Sequence, residues 1–140
     1  MAQLHVTRWV AVFVLVLAGC ATATRQQAER PEKAVAKVLA ASAVGVVSFK
    51  DVEAAKQLAG AVAEVKGFQF AVIMGEGGAK LTQYVNADLS EKRRAVLGSL
   101  ERRIKSGEKE FDFQQDGLFV SVVPIRRDEL LIGYVAVATL

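Results

Sequence analysis

From Glu110 to Leu140 the sequence reads EFDFQQDGLFVSVVPIRRDELLIGYVAVATL, and this stretch narrows the choice of fold more than any other. Glu110–Gln115 alternates apolar and polar residues, the period of a strand with one wet face. Asp116-Gly117 follows, a pair suited to the positive φ angles of a two-residue hairpin turn. Leu118–Ile125 is nearly all apolar, as in a strand buried on both faces. Arg126–Glu129 is a charged turn, and Leu131–Leu140 makes a last strand. Strands joined this closely pair antiparallel, because a parallel crossover needs a dozen or more residues.

The preceding residues supply two more strands and three helices. Pro31 suits the first turn of a helix, and Val35, Val38, Leu39, Ser42 and Val46 follow at three- and four-residue steps to about Val47. Asp51 is a good N-cap for a second helix, whose stripe is Val52, Ala55, Leu58, Ala59, Val62 and Val65. Lys66-Gly67 ends it. Phe68–Met74 reads as a strand, Gly75–Gly78 as a turn and Lys80–Asn86 as the partner strand. Asp88 and Glu91 have the spacing of a capping box, which starts a third helix near Leu89 and runs it to about Ser106, before Gly107. The expected fold class is α+β: a PAS/Cache-like five-stranded antiparallel sheet with N-terminal helices and one helix packed on the sheet, the helices sharing one face.

The N-terminus carries an address. Arg8, with His5, precedes an unbroken apolar run from Trp9 to Leu17, then Ala18, Gly19 and the chain's single cysteine. This is the layout of an export signal, too short for a transmembrane helix, which needs ~20 apolar residues. Leu17-Ala18-Gly19-Cys20 resembles the bacterial lipobox. The resemblance implies acylation of Cys20, cleavage just before it, and a mature chain held at the membrane by lipid. Ala21 after the cysteine implies sorting to the outer membrane of a two-membrane cell. The expected organisation is a signal peptide over residues 1–19, a lipidated tether over 20–30 and one domain over 31–140.

Composition then excludes much chemistry. Cleavage before Cys20 removes 19 of 140 residues, and with them the only His and one of 18 Lys and Arg. The remaining 17 cations against 15 acids make no nucleic-acid binder. No cysteine is left for a disulfide or a nucleophile, and no His or Cys for a metal or a His-based triad. An enzyme would need a carboxylate, Lys or Ser/Thr mechanism, and no clustered set announces one. No cofactor is expected.

Two longer stretches carry a family resemblance. FKDVEAAKQLAGAVAEVKGFQFAVIMGEGGAKLTQY, Phe49 to Tyr84, resembles the first half of the periplasmic CHASE-type sensor domains, which are PAS/Cache-like ligand-binding modules. Asp51, Ala54, Ala55, Leu58, Phe70, Gly77 and Tyr84 carry the likeness. DGLFVSVVPIRRDELLIGYVAVA, Asp116 to Ala138, is similar to that family's paired strands, marked by Pro124-Ile125 and Ile132-Gly133. Such domains usually sit between transmembrane helices above an output domain. This sequence stops at Leu140, so a free-standing binding protein or an accessory subunit to an envelope receptor is the expectation.

Five residues are candidates for a ligand site between the sheet and the third helix. Arg93 falls near the middle of the apolar face of Leu89, Val96, Leu97, Leu100 and Ile104, where a guanidinium would bind a carboxylate or phosphate. Its alternative is to reach water along its aliphatic stem. Thr82 and Tyr84 lie on the second strand, Ser121 interrupts an apolar one, and Tyr134 lies on its neighbour. Each buried hydroxyl needs a partner: a ligand, a carbonyl or a water. Gly75–Gly78 joins two strands, so it reads as a turn and not a phosphate loop. Lys92–Arg94 with Arg102-Arg103 reads as a solvated helix face. Glu108, Glu110, Asp112, Asp128 and Glu129 lack a Ca²⁺-loop pattern.

The expected function is a lipid-anchored, periplasm-facing domain that binds a small anionic ligand or a signalling partner without catalysis, its N-terminal helix pairing with a second copy. The alternative is an envelope interaction lipoprotein whose core is filled by side chains.

Overall fold

The computed structural model describes residues 28–140. The lipobox and the leader lie outside the described residues. The elements are α1 (Pro31–Phe49), α2 (Val52–Gly60) with a 3-10 turn at Ala61–Glu64, β1 (Phe68–Gly75), β2 (Lys80–Val85), α3 (Glu91–Lys105), β3 (Phe111–Gln115), β4 (Leu118–Arg127) and β5 (Leu130–Thr139). The five strands form one antiparallel sheet in the order β2-β1-β5-β4-β3. The α+β class and the five-stranded antiparallel sheet are those expected from the sequence.

Local chemistry explains most boundaries. Asp51 caps α2 by accepting from the Ala54 amide at 3.0 Å. Asp116 and Gly117 both have positive φ, so the β3–β4 turn has the twist a hairpin favours. Strands β4 and β5 run further than expected, to Arg127 and from Leu130. Their turn shrinks to Asp128-Glu129, which both sit in the left-handed region. One cap differs from expectation: Ser90, not Asp88, is the N-cap of α3 and accepts from the Arg93 amide at 3.4 Å. The Asp88 amide is spent in a turn, donating to Asn86 Oδ1 at 3.0 Å.

The helices do not share one face. Ala36, Leu39, Ala40, Ala43 and Val47 of α1, with Ala55 and Ala59 of α2, pack on Ala71, Ile73, Val123, Ile125, Val135 and Val137. Val96, Leu100 and Ile104 of α3 pack on the opposite face, against Phe70, Val72, Met74, Val120, Val122, Ala136 and Ala138. The central strands alternate between the two cores, so each face needs its own cover. Three layers result, helix–sheet–helix.

Gly133 sets how closely these layers approach. It pairs with Gly75 of β1, and a Cβ at Gly133 would lie 2.2 Å from the Met74 carbonyl oxygen and 3.3 Å from Cγ1 of Val47. Only glycine lets the end of α1 and strand β1 meet β5 there.

Candidate ligand-binding cleft

The root of α1 is pinned to the sheet by two polar networks. Glu32 is 2% exposed; it pairs with Arg30 Nε at 2.6 Å and accepts from the Thr139 hydroxyl at 3.2 Å. The Arg30 guanidinium stacks over Phe119, 3.7 Å from the ring centroid. In the same first turn, Lys33 donates to Asp112 Oδ2 at 3.0 Å, and Ser121 donates to Asp112 Oδ1 at 2.7 Å. Burial pushes the Asp112 carboxyl up, but the Ser121 and Lys33 hydrogen bonds and the nearby cations outweigh it and leave it below its ordinary value. The hydrogen bond to Asp112 raises Lys33, against the opposing effect of burial.

From that root α1 runs 19 residues, ~28 Å at 1.5 Å per residue, to the far end of the sheet. There it meets the β1–β2 turn and the β4–β5 hairpin around a cleft of about 430 Å³. Val47, Ser48 and Lys50 come from the end of α1, Gly75, Glu76, Ala79, Lys80 and Leu81 from the turn, and Arg127 and Ile132 from the hairpin. Lys50 has φ +52° and closes α1 by donating its amide to the Val46 and Val47 carbonyls. Two register irregularities, at Ile73/Met74 and Ile125/Arg126, fall at this end of the sheet. Bulges of this kind re-aim side chains, and here one lies in each of the two hairpins that border the cleft.

The cleft is amphipathic. Lys50, Lys80 and Arg127 line it, with Glu76 as the opposing charge, while Val47, Leu81 and Ile132 give it an apolar wall. None of the three cations is ion-paired among the described residues. Arg127 Nη1 donates to the Ser48 hydroxyl at 3.3 Å and Lys80 Nζ to the Gln83 side-chain oxygen at 3.3 Å, both neutral acceptors at long range. The volume lies within the ~300–1,000 Å³ usual for small-molecule pockets. Among the described residues no group of three or more His, Cys, Asp or Glu is placed to hold a metal ion.

The five candidates from the sequence lie elsewhere and are split by the sheet. Thr82 and Tyr84 stand opposite Ile73 and Ala71, on the side of α1 and α2. Ser121 is on that side too, its hydroxyl taken by Asp112. Tyr134 is buried in the core under α3. Arg93 does not run free into water: its Nε donates to the Asp116 carbonyl at 3.1 Å and braces the β3–β4 turn. Side chains of the second core pack between the sheet and α3. Lys50, Lys80 and Arg127 were missed because they are scattered along the chain, each in a stretch that reads as a helix end or a turn.

Residues 24–138 match the family model of CHASE8, a periplasmic sensor domain. The chain belongs to the CHASE8 family. Membership gives it a sensing role outside the cytoplasm, and the match takes in every element of the described fold, ending at Ala138 within β5. The solved structure of MglC from Myxococcus xanthus is similar over 56% of this CHASE8 chain and 72% of its own, with 14% identity and a TM-score of 0.38. No curated protein matches the chain.

Proposed function

We propose that this CHASE8 domain is a lipid-anchored sensor module that binds a small molecule in the cleft at the far end of α1 and catalyses nothing. The cleft carries the reading: three cations from three separate segments converge beside an apolar wall, and none is neutralised by a carboxylate among the described residues. A ligand site needs this combination of apolar surface and a few convergent polar groups. The cleft also sits ~28 Å along α1 from the end at which the tether enters, clear of a membrane holding the chain at Cys20.

Thermal unfolding of the full-length protein in nonionic detergent, against a library of small metabolites, tests the binding. A ligand of the folded state raises the midpoint by linkage, ~2.7 kcal/mol of stabilisation at a hundred times Kd. A shift that is lost in the Lys80→Met, Arg127→Met double variant supports the cleft. A shift that persists unchanged in that variant counts against it. The anchor is tested separately: intact mass should show an acylated chain beginning at Cys20, and Cys20→Ser should free the chain from the membrane fraction.

A second reading, an interaction module that works by pairing α1 with a second copy, rests on a different feature. Ala34, Val35, Val38 and Leu39 of α1, with Ala61, Val62 and Val65, line an apolar groove of about 270 Å³, in which Val38 is 66% exposed. If that reading is right, Val38→Glu abolishes a dimer seen by sedimentation while ligand binding at the cleft is unchanged.

A further inference from the structure

We infer that the ligand of the cleft is a small amphipathic anion, an aliphatic carboxylic acid being the simplest case. The inference rests on the cleft being the ligand site and adds the chemical class. Three charges of one sign against the single Glu76 leave the lining at a net two positive charges. Charge of one sign lining a concave cleft draws in counter-ions, most strongly at low salt because these side chains are exposed. The present partners of two of the cations are weak. Ser48 and Gln83 are neutral acceptors held at 3.3 Å, and a carboxylate offers a charge-assisted bond roughly twice as strong. Arg127 and Lys80 therefore gain by exchanging those partners for an anion. The guanidinium can take it bidentately, and the ammonium groups add point charges.

The other wall decides against a bare inorganic anion. Val47, Leu81 and Ile132 have no polar atom to give a phosphate or sulfate, but they can cover a short hydrocarbon chain. An anionic head and an apolar tail on one small molecule satisfy both walls together. A neutral apolar compound would leave the cations where they are and gain nothing from them.

Calorimetric titration of the full-length protein in nonionic detergent tests the class. The probes are 4-methylpentanoate, acetate, inorganic phosphate, leucine and 4-methylpentan-1-ol, each also titrated into detergent alone. 4-Methylpentanoate should bind at least tenfold tighter than acetate or phosphate, since each buried methylene contributes up to about fourfold. The alcohol should not bind measurably. Raising the salt should weaken the acid. Lys80→Met and Arg127→Met, both at exposed positions, should each weaken it severalfold while leaving the unfolding midpoint without ligand unchanged. Lys50→Asn, which tolerates the left-handed backbone, should do the same.

Phosphate or acetate binding as tightly as 4-methylpentanoate would overturn the amphipathic class. So would leucine binding more tightly than its des-amino analogue, because Glu76 would then be holding an ammonium group. Absence of binding by 4-methylpentanoate overturns it outright. The underlying reading fails differently. A neutral library compound whose binding is lost in an apolar-wall variant, Leu81→Ser, keeps the cleft and discards the anion. A ligand indifferent to every cleft variant discards the cleft itself.

Discussion

Gly133 and Asp112 show how much single residues decide in this fold. The Cβ missing at Gly133 would sit 2.2 Å from a backbone oxygen, which cannot swing away as a side-chain tip would. Gly133→Ala must therefore push β1 or the end of α1 outward. Its expected cost is ~1–3 kcal/mol, read by denaturant unfolding, with a loss of cleft binding that exceeds the loss of stability. Gly45 and Gly98, which have open space around a Cβ, should tolerate Ala with little change or a slight gain. Asp112 gives a pH dependence. Its folded-state pKa lies below its ordinary value, so its contribution is present above the ordinary carboxylate range near 4 and is lost as the pH falls through the folded value. Lys33 is raised, so its share persists below the ordinary lysine range and is lost as the pH rises through the folded value. Asp112→Asn should cost of order 1 kcal/mol or less at neutral pH, because the carboxylate is about half exposed and screened. The gap between variant and wild type should close as the pH falls through the folded-state value. A gap unchanged across the acid range would show that the charge of Asp112 does not matter.

Among the elements, α3 and α1 are secured in opposite ways. The start of α3 depends on a local cap. Ser90→Ala should cost ~1 kcal/mol, whereas Asp88→Ala should fall within ~0.5 kcal/mol of wild type, and equilibrium unfolding of the pair separates the two assignments. At its other end, Arg103 pairs with both Glu108 oxygens at 2.9 and 2.7 Å and lies over the rings of Phe111 and Phe113, and its hydrogen bond holds the Glu108 carboxyl below its ordinary value. The start of α1 has no side-chain cap and is held by the long-range clamp of Glu32 on β5 and Lys33 on β3 instead. Such differences set what the sequence could reveal. Asp51, Asp116-Gly117 and the alternation in β3 were legible because turn and cap chemistry is local. The cap of α3 was not, because Asp88 and Ser90 are both good caps, and the pattern does not say that Asn86 takes the Asp88 amide into a turn of its own. The near-continuous apolar run of β4 already required cover on both faces; the expected placement of all helices on one face did not satisfy it.

For the whole molecule, the three-layer plan separates two ends of one rigid helix. Arg30, Glu32 and Lys33 lock the start of α1 to the sheet, and the cleft lies where α1 ends against Gly133. An anion held by Arg127 and Lys50 would act directly on the last turn of the helix whose first turn is locked to the sheet. This geometry was not legible from the sequence. Periodicity marks the faces of each element, but Lys50, Lys80 and Arg127 come together only through the strand order β2-β1-β5-β4-β3 and the two irregularities at the cleft end of the sheet. The residues that did stand out, Arg93, Tyr134, Thr82, Tyr84 and Ser121, drew attention as polar groups within apolar patterns. Arg93 and Ser121 proved to be satisfied inside the protein, by the Asp116 carbonyl and the Asp112 carboxylate. The central claim, that the cleft is where this domain meets its ligand, is tested most directly by amide chemical-shift mapping of the full-length protein during titration with 4-methylpentanoate. Binding in the cleft should give shifts centred on Ser48, Lys50, Gly75–Leu81, Arg127 and Ile132, fading toward Arg30 and Asp112. Shifts centred on Arg93 and Tyr134, under α3, would contradict it.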